Sequence, residues 1–118
     1  MIRYLIFTEK DEGLNIILSD RDKVENGELM AIIQKEYHHN FRFLWEMVRE
    51  RGESLKRTDE EGDKSENCIP FKVYQSNQTD YIIEYDTVKI NKLIPLFSLI
   101  KAWTEFNGCN AFELRNLY

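Results

Sequence analysis

Two cysteines, two histidines and five glycines in 118 residues leave little room for several familiar chemistries. Cys68 and Cys109 stand far apart and outside any CxxC pair, so the chain has neither a disulfide framework nor a cysteine zinc site. The glycines never cluster, which excludes a phosphate-cradling loop and a dinucleotide fingerprint. None of Ser19, Ser54, Ser65, Ser76 and Ser98 sits in a GxSxG setting. No stretch approaches the ~20 apolar residues that a membrane-spanning helix needs. The opening run, Met1 to Lys10, is too short in apolar residues for a secretory signal and meets acid at once. These absences predict a cytoplasmic protein with no membrane association.

Basic surface is scarce as well. The net charge is −5, and the stretch between Arg57 and Cys68 holds Asp59, Glu60, Glu61, Asp63 and Glu66 against Lys64 alone. Five acids against one base carry four of the five net negative charges, so the rest of the chain is nearly neutral. A nucleic-acid binder needs a basic face or stripe, and none is present. Tyr4, Phe7 and Tyr74 fall on strand candidates, but without a basic surround or an RNP1 pattern they do not make a base-stacking sheet.

Aromatic residues, by contrast, are abundant: seven Phe, six Tyr and two Trp, 13% of the chain. Such residues dominate burial in cores and in interfaces. With 42% hydrophobic residues overall, the composition specifies one domain, residues 1–118, able to bury a core without staples.

Two-residue alternation marks Ile2–Phe7 and Leu14–Ser19, joined by a polar turn that ends in Gly13. A second hairpin follows from Phe71–Ser76 and Tyr81–Tyr85, with the chain turning through Asn77-Gln78-Thr79-Asp80. The Asn-x-Thr glycosylation pattern there reads as that turn.

Leu29, Ile33, Tyr37, Leu44, Met47, Val48 and Leu55 fall near one stripe at 100° per residue. They predict a helix of about 25 residues, roughly 37 Å long, with Asn26 as N-cap and Gly52 as stop. His38-His39-Asn40 is its weakest point, where a break into two helices is the alternative. Residues 53–67 lack apolar periodicity and predict a mobile acidic loop. A second helix is expected from Asn91 to Asn107, with Pro95 in its first turn and Gly108 just past its end. The expected fold is α+β: a two-layer sandwich in the order ββαββα, four antiparallel strands with both helices on one face.

Chemical constellations are few. Glu36 and His39 form one Glu-x-x-His pair, whereas a di-iron bundle needs two such pairs with further glutamates. Asp20-Arg21-Asp22 opens like a calcium loop but puts Val24 at a ligand position, Glu25 at the required glycine and Ala31 at the closing glutamate. No catalytic residue, metal site or cofactor is nominated.

A partner surface is the stronger expectation. Strand alternation places Ile2, Tyr4 and Ile6 under the helices, together with Leu14, Ile16, Leu18, Phe71, Val73, Tyr81, Ile83 and Tyr85. The other face then carries Leu5, Phe7, Ile17, Tyr74 and Ile82, more apolar than a solvated sheet face requires. A 37 Å helix also overhangs a strand of roughly 20 Å, so Phe41, Phe43, Trp45 and Met47 need cover. The predicted partner-binding residues are Leu5, Phe7, Ile17, Tyr74, Ile82, Phe41 and Trp45. They predict a non-catalytic protein–protein interaction domain of adaptor, inhibitor or immunity type, forming a homodimer or binding another protein. The alternative is a small enzyme or ligand-binding domain with a pocket between sheet and helices, using His38 and His39.

Overall fold

The computed structural model describes residues 1–35, 40–61 and 71–118. The chain is α+β, with one antiparallel five-stranded sheet and two long helices. The strands are β1 (Ile2–Lys10), β2 (Gly13–Ser19), β3 (Glu28–Gln34), β4 (Phe71–Gln75) and β5 (Asp80–Asp86), and the helices are α1 (Phe41–Glu61) and α2 (Ile90–Phe106). In space the sheet runs β3-β2-β1-β5-β4, which leaves β3 and β4 as its edges.

The extra strand corrects the expected order to βββαββα. Residues 28–34 pair with β2, and the register shifts between Ile16 and Ile17 so that Met30 is the extra residue of a bulge. Met30 and Ala31 are consequently both buried, which breaks two-residue alternation. Leu29 and Ile33 are four apart, a spacing that suits one face of a helix, but the bulge between them puts Leu29 opposite Ile17 and Ile33 opposite Leu14, on different faces of the sheet. Asn26 is not a helix cap: it turns the chain with φ 62°. The neighbouring Gly27 lies so close to Ile17 Cγ2 that a β-carbon there would sit 2.4 Å from it.

The expected helix is thus a strand followed by a helix, and the change falls where helix propensity was weakest. Residues 36–39, including the Glu36/His39 pair and His38, lie outside the described residues. Gly52 does not stop α1 but sits buried inside it. The acidic loop expected over 53–67 begins as helix up to Glu61; residues 62–67 lie outside the described ones.

The second half matches expectation closely. Asn77 Oδ1 accepts from the backbone N–H groups of Thr79 and Asp80 at 2.8 and 2.9 Å, closing the β4–β5 turn. Gly108, at φ 80°, ends α2 in the left-handed region that glycine tolerates. The helix begins at Ile90, one residue before the expected Asn91. A 3₁₀ turn (Thr87–Lys89) leads into α2, and Asp86 caps that turn by accepting from the N–H of Val88 at 3.0 Å. Pro95 therefore lies in the second turn of α2, where it removes one helical hydrogen bond.

Both helices cover the same sheet face. The core beneath them combines Leu5, Phe7, Leu14, Ile16, Leu18, Ile33, Ile83 and Tyr85 with Phe41, Leu44, Val48, Leu93, Phe97 and Ile100. The C-terminal segment closes one end of this core with Phe112 and Leu117, and Tyr85 donates its hydroxyl to Leu117 O at 2.7 Å. Arg3 ties the last residues down by donating to Asn116 O and Tyr118 O, each at 3.2 Å. Asn40 Nδ2 donates to Asn107 Oδ1 at 2.9 Å, so the start of α1 meets the end of α2 and the two helices run antiparallel. Among the described residues no helix is long and apolar enough to cross a membrane.

Candidate functional site

The seven residues expected to meet a partner do not form one patch. Leu5, Phe7 and Phe41 are core side chains beneath the helices. The face assignment of β1 is corrected by its pairing. Leu5 lies opposite Leu18 and Ile83, and Phe7 opposite Ile16 and Tyr81, so the odd-numbered residues of β1 share the helix-covered face. Ile6 is paired with Ile17 and Ile82 on the opposite face. Both faces of β1 are apolar, and alternation alone cannot choose between them; the cross-strand partners do.

Away from the helices, the sheet carries Tyr4, Ile6, Ile17, Tyr74 and Ile82. Ile6 and Ile82 are fully buried, yet they lie outside the core beneath the helices. Ile17 and Tyr74 are half-buried. Desolvation, with Glu84 and Asp22 close by, pushes the pKa of both Tyr4 and Tyr74 upward. Leu29 and Ile32, on the edge strand β3, are 51% and 53% exposed.

Trp45 sits in an aromatic group centred on Phe41, whose ring lies 5.5 Å from Phe7, 5.8 Å from Trp45, 5.0 Å from Tyr81 and 6.2 Å from Trp103. This group buries Phe41 and Trp45, two of the four α1 residues expected to need cover. It also floors an open groove of about 500 Å³ between α1 and the edge strand β4, lined by Arg42, Trp45, Glu46 and Arg49 on one side and Val73, Gln75 and Tyr81 on the other. Burial raises the pKa of Tyr81, with Glu9 acting in the same direction and Arg42 against it.

Phe43 and Met47, also expected to need cover, do lack it: they are 74% and 40% exposed. On α2, Phe106 is 84% exposed. Met47 and Leu99 line a shallow depression between the helices together with Glu50 and Arg51. Phe43 is about 40° from Met47 around α1, and Phe106 about 20° from Leu99 around α2, so all four border the outer seam of the helix pair. Phe106 and Leu99 were legible in the sequence as apolar residues off the inward stripe of α2, the signal that marks a second apolar face.

No group of three or more His, Cys, Asp or Glu is placed to hold a metal among the described residues. Cys109 is half-buried and free. The histidines of the pocket alternative lie outside the described residues. Compared with protein-family models, curated proteins and solved structures, the chain matches none.

Proposed function

We propose that this chain is a non-catalytic protein–protein interaction domain that pairs with a second copy of itself through the outer seam of its helix layer. The observation that carries the reading is the exposure of Phe43 and Phe106, 74% and 84%, on neighbouring antiparallel helices. A single exposed apolar side chain is ordinary, but helical spacing sets two phenylalanines along the seam that Met47 and Leu99 line. Burying a phenylalanine side chain is worth about 1.5–3 kcal/mol. Two such residues from each copy supply a buried centre of the kind that dominates association.

The shape suits a copy of itself. An antiparallel helix pair presents a ridged surface into which an identical pair packs as a four-helix layer. A two-fold axis requires a self-complementary patch, and the rim offers one charge of each sign in Glu50 and Arg51.

The test is the mass in solution of a Phe43→Glu/Phe106→Glu double variant, measured by light scattering beside the parent chain. Both substitutions fall on exposed positions, so the circular dichroism spectrum should be unchanged. The parent is expected at twice 14.2 kDa and the variant at one chain. A parent that stays at one chain across the concentration range contradicts the reading.

A further inference from the structure

We propose that the groove between α1 and β4 is a strand-addition site, which takes an extended peptide bearing a carboxylate and a bulky apolar side chain as a sixth strand of the sheet. The surface is separate from the helix seam, and the two proposals stand or fall independently.

The backbone of β4 supplies the first argument. Ser76 N–H donates to Asp80 O at 3.0 Å, which marks these two as a hydrogen-bonded pair beyond the end of the ladder. Antiparallel pairs alternate between bonded and non-bonded. With Tyr74 opposite Ile82 and Lys72 opposite Glu84, those are the next bonded pairs. The N–H and C=O groups of Val73 and Gln75 consequently point outward, away from β5. Since β4 ends the sheet, they face no further strand of it. The opposite edge differs: β3 is bulged at Met30, a distortion that discourages pairing.

Side chains supply the second argument. Val73 and Gln75 border the groove, whose wall is the edge-to-face pair Trp45 and Tyr81, 5.2 Å apart. A volume of about 500 Å³ takes a large apolar side chain from an added strand. Arg42 is exposed at the same groove and makes no ion pair among the described residues, whereas Arg49 is tied to Glu46 at 3.6 Å. A guanidinium at the rim of a groove floored by aromatic rings recognises a carboxylate through two parallel hydrogen bonds.

The experiment selects binders to the full chain from a displayed library of random linear peptides. One selected peptide is then titrated against the parent, Gln75→Pro, Arg42→Glu and Phe43→Glu. Gln75→Pro removes an outward donor and leaves the β4–β5 ladder intact, as edge prolines do. The proposal expects acidic, apolar-containing peptides whose binding shifts the amide resonances of Val73 and Gln75. It expects at least a tenfold loss of affinity in both Gln75→Pro and Arg42→Glu, with Phe43→Glu unchanged. If Gln75→Pro fails to fold, Arg42→Glu decides alone, because the side chain is exposed. Failure to select any peptide, or a peptide indifferent to these changes, overturns the proposal. So does self-association abolished by Gln75→Pro, which would assign the edge to a second copy.

Discussion

Tyr85 donates to the carbonyl of Leu117 inside the core, and burial pushes its pKa up to about 12, with Arg3 pulling weakly the other way. In the unfolded chain it titrates near 10. The folded state therefore holds the proton more tightly, and its stability is intact below pH 10 and lost as pH rises from about 10 toward 12. Tyr85→Phe should cost about 1 kcal/mol at neutral pH, because the Leu117 carbonyl loses its donor. It should also flatten part of the alkaline loss, as read by urea unfolding over a pH series. Asp80 is the acidic counterpart. Burial works to raise its pKa, but hydrogen bonds from Thr8, Asn77 and Thr79, with Lys10 nearby, hold it below the usual carboxylate value. Its stabilising effect is present above the unfolded pKa and fades as pH falls through the folded one. Thr8 donates to Asp80 Oδ1 at 2.6 Å from a buried position. Thr8→Val should then cost about 1 kcal/mol near neutral pH, with the gap to the parent narrowing in acid.

At the scale of elements, α1 is held by its first turn. Phe41 touches three other aromatic rings beyond its neighbour Trp45, so Phe41→Ala removes the hub of that group. The expected loss is about 3–5 kcal/mol in urea unfolding. A loss below about 1 kcal/mol would show that the aromatic group does not anchor the helix. Elements with one dominant period were legible in the sequence. Both hairpins and α2 read correctly because their alternation, turn residues and the terminal Gly108 agree with one another. Residues 28–34 did not, since the bulge at Met30 hides alternation and sets Leu29 and Ile33, four apart as on one helix face, on opposite faces of the sheet. The face of β1 was illegible for a related reason. Leu5 and Phe7 differ too little from Tyr4 and Ile6 in polarity, and the choice is made by partners on β2 and β5 that a single strand does not reveal. Of the surface expected from the sequence, Phe43 and Met47 do lack cover, whereas Leu5, Phe7 and Ile82 of the expected apolar sheet face are fully buried. Arg42 and the outward backbone of Val73 and Gln75 depend on strand order, which local sequence does not encode.

For the whole molecule, the sheet and helices bury one face of each layer together, and apolar surface remains on the outer helix seam. A protein of this size has enough core to fold alone, so pairing adds to stability without being required for folding. Linkage makes the consequence measurable: anything that binds only the folded chain raises its apparent stability with concentration. The central claim is that two copies meet through Phe43 and Phe106. Sedimentation equilibrium of the parent chain over a wide concentration series tests it most directly. The account predicts a monomer–dimer equilibrium whose upper mass is twice 14.2 kDa. A single ideal species of one chain at every concentration would contradict it.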